Sequence, residues 1–260
     1  MAMTEPDARA SDDEMSAPAD GATALSLQSL RYVWPTGGDA AGFWIEVDAL
    51  TIAKGERIFI EGPSGSGKST LLSLICGVIA PQSGRIEVMG APFSALPAAD
   101  RDRIRAERFG VIFQMFNLLP YASPVQNVVL PLAFAPERAA RVGRDRAGEA
   151  RRLMAALGLP AAVIGARKAS SLSVGQQQRV AVARALIGAP DIVVADEATS
   201  ALGSGARDAF LEVMFDQAAV VGATLIMVSH DAALGDRFDR AVPLSSVARV
   251  GRTSAQERQR

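Results

Sequence analysis

Apolar and polar positions change their period several times along the chain, and each change marks an element. Leu25 to Trp34, Phe43 to Val47 and Arg57 to Glu61 read as β-rich runs, with Gly-rich connections at 36–42 and at Lys54-Gly55. Ser69 to Ala80 has the apolar density of a buried helix, which Pro81 and Gly84 stop before another β-like run, Arg85 to Met89. From about 98 to 170, Ala, Arg and Leu recur at helical spacing, most clearly over Arg144 to Leu159, and this stretch reads as a helical insert. Alternation then resumes with a helix from Ser173 to Leu186, an apolar strand Ile192 to Ala195, a helix Gly205 to Val221 and a strand Thr224 to Ser229. Strands that are apolar throughout, taking turns with helices, predict an α/β fold whose parallel sheet is covered on both faces.

Composition narrows this picture. The 260 residues are 49% hydrophobic, enough for the core of a large α/β domain. Residues 1–22 are rich in Ala, Asp, Pro and Ser and bury too little to offset ordering entropy, so they are expected to form a disordered acidic leader. The polar residues 253–260 are expected to fray. With 27 Lys+Arg against 28 Asp+Glu, no global basic field attracts nucleic acid or anionic lipid. The Arg-rich stretch Arg101 to Arg108 has acidic residues interspersed and reads as a solvated helix face. One cysteine, Cys76, and one histidine exclude an internal disulfide and a Cys/His zinc cage. Cys76 itself falls among Leu71, Leu74 and Ile75 and reads as a small buried apolar residue. Stretches such as Leu71 to Ala80 and Val125 to Ala135 are broken and fall well below the ~20 apolar residues that span a bilayer. The expectation is a cytosolic chain that does not cross a membrane by itself and lacks a secretory signal.

Candidate chemistry begins at Gly62-Pro63-Ser64-Gly65-Ser66-Gly67-Lys68-Ser69, followed by Thr70. The run fits G-x-x-x-x-G-K-S/T and lies between the apolar strand and the helix that this pattern requires. Its glycines let successive backbone N–H groups turn toward phosphates, and the positive end of the following helix adds its field. Lys68 supplies a point charge to the β- and γ-phosphates, and the Ser69 hydroxyl is placed to ligate Mg²⁺. This loop by itself specifies only a nucleoside triphosphate.

Asp196 and Glu197 follow an apolar strand, at the edge where open α/β sheets bind ligands. Alternation separates their tasks: Asp196 can face the metal shell while Glu197 accepts a proton from an attacking water. Alone, such a pair is also what a strand meeting a solvated loop looks like. Leu172-Ser173-Val174-Gly175-Gln176-Gln177-Gln178-Arg179 opens the next helix, with Ser173 as a fitting N-cap. A capped helix explains those residues; a second phosphate grip at Ser173 and Gly175, serving the nucleotide of another subunit, explains them too.

Taken together, Gly62 to Ser69, Gln114, Leu172 to Gln178, Asp196-Glu197 and His230 resemble the motifs of ATP-binding cassette ATPases, in the same order and over roughly Leu25 to Leu244. Gln114-Met115-Phe116-Asn117-Leu118-Leu119-Pro120, Asn127-Val128 and Leu130-Pro131-Leu132 look like the lipoprotein-release, macrolide-export and cell-division branch. The resemblance implies a P-loop NTPase core of mostly parallel strands, an N-terminal antiparallel β subdomain and a helical subdomain inserted at about 115–172. The cassette would occupy 23–250 and a polar tail 251–260. It further implies that Gln114 reaches Mg²⁺ or the lytic water, and that His230 hydrogen-bonds the γ-phosphate. Trp34 is the aromatic expected to stack on adenine, with Tyr32 as the alternative. Ser173, Gly175 and Gln176 of one subunit would close over the ATP of the other in a head-to-tail dimer, of two identical chains or of closely related cassettes.

Two departures stand out. Ala198 replaces a customary Pro, which relaxes the backbone. Gly203 stands where the family usually has Asp, so hydrolysis is expected to be retained through Glu197 but to be slower or less cooperative, with Gly203→Asp as the test. The implied function is that of an ATPase subunit on the cytoplasmic face of the inner membrane. It would drive a separate permease docked between core and helical insert, near the apolar residues Phe116 to Tyr121. A regulatory module that signals through a membrane partner without moving a substrate is the alternative. Cassette-type DNA-repair and translation factors need arms, zinc modules or a second cassette that 260 residues do not hold.

Overall fold

The computed structural model describes residues 23–35, 42–200 and 204–252. The expected leader 1–22, the connection 36–41, Gly203 and the tail from 253 lie outside them. Two strands, β1 (Thr23–Val33) and β2 (Phe43–Ala53), pair antiparallel. Then come β3 (Arg57–Glu61), α1 (Lys68–Ile75), β4 (Ser83–Val88), β5 (Ala91–Pro92), α2 (Ala98–Arg108) and β6 (Phe109–Ile112). The helical part holds α3 (Pro124–Val129), α4 (Pro136–Val142), α5 (Arg146–Ala156) and α6 (Ala161–Ile164). The chain continues through α7 (Val174–Leu186), β7 (Ile192–Asp196), α8 (Ser204–Val220), β8 (Thr224–Ser229), β9 (Arg240–Pro243), α9 (Leu244–Val247) and β10 (Ala248–Arg252).

Two sheets result. The order β10-β2-β1-β4-β5 is antiparallel throughout, and β6-β7-β8-β3-β9 is parallel throughout. The parallel sheet divides the interior in two by simple alternation. Ile58 and Ile60 of β3, Val194 of β7 and Ile226 and Val228 of β8 join β1, β2 and α1 in one core. Phe59, Val193, Ala195, Leu225 and Met227 face the other way, into a core shared with α3, α5, α7 and α8. Burial on both faces explains why these strands read as continuous apolar runs, and each large side chain so buried contributes about 1.5–3 kcal/mol.

Three expectations need correction. The helix after the phosphate loop ends at Ile75 rather than Ala80. Cys76 is its C-cap, and Gly77 follows at φ 64° against the Phe93 ring, where a Cβ would come within 2.4 Å of Cζ. The helical character read from about 98 is interrupted by β6, whose four residues are too few to display a period. Gly110 lets that strand approach α7, since a Cβ there would lie 2.2 Å from the carbonyl oxygen of Ala185. Finally, Gly251 and Arg252, read as the start of a tail, belong to β10 and pair with Trp44 and Phe43.

Candidate functional site

Sheet order brings the site together. β3 lies beside β8, and β8 beside β7, so the residues that follow their carboxyl ends meet at one edge. Gly62 donates its N–H to the carbonyl of Ser229 (3.1 Å) and Glu197 donates to that of Val228 (3.0 Å), which fixes the phosphate loop and the acidic pair to the end of β8. A cavity of about 540 Å³ opens there, lined by Ser64, Gly65, Gly67, Lys68, Ser69, Thr70, Gln114, Asp196, Glu197 and His230, with Trp34 and Phe43 as its aromatic wall.

The loop backbone takes the shape that its glycines allow. Gly65 has φ 77° and Gly67, the N-cap of α1, has φ 98°. No side chain caps α1, which leaves its first-turn N–H groups for an anion. Lys68 is buried, and its Nζ donates to the carbonyls of Gly62 (2.6 Å) and Pro63 (3.0 Å). The same ammonium lies 3.6 Å from Oε1 of Glu197. Ser66 Oγ is buried with no partner among the described residues. A polar loop of this kind fits phosphate oxygens.

Across the cavity, Ser69 Oγ donates to Oδ2 of Asp196 at 3.2 Å. Burial raises the Asp196 carboxyl above its ordinary range, opposed by that hydroxyl and by Lys68. Hard oxygen donors at Ser69, Asp196 and Gln114 suit Mg²⁺, which keeps few protein ligands and completes its shell with phosphate and water. Glu197 is buried and sits at φ 48°, a left-handed conformation that a non-glycine residue adopts at a cost of about 1–3 kcal/mol. Its carboxylate receives the Ser229 hydroxyl at Oε2 (3.2 Å) and faces Nδ1 of His230 at 2.9 and 3.0 Å. Such a carboxylate, oriented from three sides, can accept a proton from water.

The aromatic alternatives separate cleanly. Trp34 is 39% exposed on the cavity wall and donates its Nε1 proton to Thr70 Oγ1 at 3.3 Å. Tyr32 is 7% exposed and supports Trp34 edge-on from the core, with ring centres 5.3 Å apart. Phe43 joins the wall because Trp34 N–H bonds its carbonyl across the strand pair (2.9 Å). Sequence reading missed Phe43, whose only signal was an aromatic directly after a Gly-rich connection, and it missed Ser229.

Ser173, Gly175 and Gln176 lie elsewhere. They line a separate cavity of about 310 Å³ with Gly158, Arg179 and Phe210. Ser173 and Gln176 form a reciprocal capping box at the start of α7. Gln178 is buried, and its amide donates to the Ala198 carbonyl, which ties α7 to the segment after the acidic pair.

A further cavity, of about 680 Å³, is a mainly apolar groove between core and helical insert, reaching from Ser69 and Asp196 past Phe113 and Leu130 to Phe134. Phe116 is not part of its surface. Its side chain is 7% exposed, and Leu118 is packed against the core, so within the segment 116–121 expected to be exposed these two are not, while Tyr121 is. Phe116 and Asn117 have φ 56° and 47°, and Arg184 holds both carbonyls from within. This reversal turns Phe116 inward and leaves Met115 (80% exposed), Tyr121 and Phe134 outside.

Comparison with known proteins agrees with this architecture. The family model described as ABC transporter matches residues 46–200, more than half of the chain. The lipoprotein-releasing system ATP-binding protein LolD 2 of Rhodospirillum rubrum is 39% identical over 219 residues, 84% of this chain and 92% of that protein. The macrolide export ATP-binding/permease protein MacB of Rhodopseudomonas palustris (strain HaA2) is also 39% identical, over 85% of this chain but only 32% of its own length. Among solved structures, the dimeric post-hydrolysis state of the ATP-binding cassette MJ0796 bound to ADP and Pi superposes with a TM-score of 0.73 at 32% identity, covering 84% of this chain and 92% of the other. The chain belongs to the ABC transporter family, as an ATP-binding-cassette ATPase of the branch that holds these lipoprotein-release and macrolide-export relatives.

Proposed function

We propose that the chain powers a membrane transporter by closing as a dimer around two ATP molecules and reopening after hydrolysis. The observation that carries this is the convergence of Lys68, Ser69, Asp196, Glu197 and His230 on one cavity while Ser173, Gly175 and Gln176 line another. A phosphate grip that does not reach its own chain's phosphate loop suits the nucleotide of a facing copy. In this reading the N–H groups from Gly65 to Ser69 and the Lys68 ammonium bind the β- and γ-phosphates, and Trp34 with Phe43 packs against the base. Glu197 takes the proton of a water whose oxygen attacks the γ-phosphorus. The bond to the ADP oxygen breaks, and inorganic phosphate leaves. His230 orients Glu197 and meets the γ-phosphate from the opposite side. Ser69, Asp196 and Gln114 would hold Mg²⁺, which when bound would neutralise charge on the β- and γ-phosphates.

A permease would dock in the groove lined by Phe113, Leu130 and Phe134. No helix among the described residues is long and apolar enough to cross a membrane, so membrane contact would run through that partner, on the cytoplasmic face. One experiment tests the core of this reading: Glu197→Gln with ATP and Mg²⁺, followed by light scattering behind size exclusion. A stable ATP-dependent dimer is expected. A monomer at saturating ATP, both alone and with the copurified permease, overturns it.

A further inference from the structure

One ion pair joins the start of α8 to the end of β8, outside the phosphate loop. Arg207 donates from Nη1 to Oδ2 of Asp231, the residue after His230. Asp231 is held twice more. Its Oδ1 accepts from the Ala233 N–H at 3.3 Å, capping the turn Ala232–Arg237, and its own N–H donates to Ser229 Oγ at 3.3 Å. Ser229 is buried and passes its hydroxyl proton toward Oε2 of Glu197. Contacts therefore run without a break from Arg207 through Asp231 and Ser229 to Glu197. His230, fixed between Ser229 and Asp231, sets Nδ1 on the same carboxylate.

This pair differs from an ordinary surface bridge. The Arg207 side chain is only 22% exposed, and its Nε is buried without a partner among the described residues, so Asp231 orients the guanidinium. Glu197, at φ 48°, keeps its place only while its surroundings over-determine it. The end of β8 is the nearest part of those surroundings; Arg207 pins the N-cap of the turn that follows it, and Arg237 ties the far end of that turn to Asp208 and Glu212 of α8.

We propose that the Arg207–Asp231 pair is a positioning device for hydrolysis, holding the end of β8 so that Ser229 and His230 present Glu197 to the attacking water. It rests on the reading of Glu197 as the base. Neither residue lines the phosphate cavity, so the signature is a loss of kcat with ATP affinity unchanged.

The test measures steady-state ATPase, ATP binding by fluorescent-analogue titration and thermal midpoint for Arg207→Ala, Arg207→Lys, Asp231→Asn, Arg207→Ala/Asp231→Asn and Glu197→Gln in the full chain. Asn at 231 keeps an oxygen for the Ala233 N–H and loses only the charge. Arg207→Ala is expected to lower kcat about tenfold, inside the roughly hundredfold range that misplacing a reacting group by about 1 Å costs. Arg207→Lys should recover part of that loss, and the double variant should be no slower than the worse single one. Wild-type kcat in both Arg207→Ala and Asp231→Asn overturns the inference, provided Glu197→Gln is inactive. So does a loss confined to ATP affinity and thermal midpoint. An active Glu197→Gln would instead remove the reading of the base on which the inference stands.

Discussion

His230 places Nδ1 2.9 Å from Oε2 and 3.0 Å from Oε1 of Glu197, across the ends of two neighbouring parallel strands. A histidine straddling both oxygens fixes the plane of the carboxylate, which the left-handed backbone of Glu197 alone leaves strained. Removing either group should therefore act mainly on turnover. Glu197→Gln is expected to reduce kcat by about 10²–10⁴, the usual worth of a general base. His230→Ala keeps the base but frees its orientation, for a loss of roughly 10- to 100-fold. Phosphate release at saturating ATP measures both; wild-type turnover in either variant contradicts the assignment.

Trp34 and Tyr32 touch each other yet sit in different environments, so their variants should fail differently. Trp34→Ala removes an exposed face beside the phosphate loop and should weaken nucleotide binding by about 1–3 kcal/mol, the typical value of a base-stacking aromatic. Tyr32→Ala empties a core position and should lower stability by roughly 3 kcal/mol. Titration with a fluorescent nucleotide, alongside thermal melts, separates the two. The assignment fails if Tyr32→Ala weakens binding while Trp34→Ala leaves it intact.

Much of the site was legible because its chemistry is local in sequence. Gly62 to Thr70 is one contiguous segment, a loop running into the first turn of α1, and Asp196-Glu197 and His230 each end or directly follow an apolar strand. Parallel order then does the rest by placing the ends of β3, β7 and β8 side by side. Features built by tertiary contact were not legible. Phe109–Ile112 is too short to reveal its period, and its strand state depends on pairing with β7. Phe116 reads as an exposed apolar residue until Arg184, far along the chain, is seen to hold its carbonyl and turn it inward. Ser229 is an ordinary strand residue until the neighbouring strand delivers Glu197 to its hydroxyl.

That inversion of Phe116 decides which substitutions test the permease groove. Phe134 is 68% exposed on the groove wall, so Phe134→Ser should leave thermal stability within about 0.5 kcal/mol while reducing recovery of the permease complex. Phe116→Ala should cost about 3 kcal/mol or more by emptying a packed site, and would be misread as a docking defect if stability were not measured. Copurification from membranes, paired with melts of each purified variant, gives both quantities. An unchanged complex with Phe134→Ser contradicts this groove as the docking surface.

Arg138 binds the helical insert to the core from inside. It is 1% exposed, and its guanidinium donates to the carbonyls of Ala106, Phe109, Ala185 and Ile187, while Glu107 receives the N–H groups of Glu137 and Arg138. Burial lowers its pKa to about 10, which still leaves it charged at neutral pH. Arg138→Met fills the volume but abandons the carbonyls and the buried Glu107, for an expected loss of about 3–5 kcal/mol. Arg138→Lys cannot span the same fork and should recover little. Denaturant titration measures both variants, and a midpoint like that of wild type in either would show that the insert is held by apolar packing alone.

Arg57 and Asp239 link the starts of β3 and β9, with Arg57 N–H and Nε donating to the carboxylate at 2.9 and 3.1 Å and its guanidinium resting 5.1 Å from the centre of the Phe215 ring. The Arg57 side-chain hydrogen bonds, reinforced by its backbone N–H and charge, hold the Asp239 carboxyl below its ordinary value, against a smaller opposing effect of burial. A depressed carboxyl binds fewer protons folded than unfolded, so its contribution is complete above the unfolded pKa of about 3.9 and is lost as pH falls through the lower native value. Asp239→Asn removes that contribution at every pH. The gap in thermal midpoint between wild type and Asp239→Asn should therefore be flat from neutral pH down to about 5, then close as the solution is acidified below about 4. Because the pair is partly exposed, added salt should narrow the plateau. A gap that widens in acid would reverse the sign and assign the stabilisation to a group other than this carboxylate.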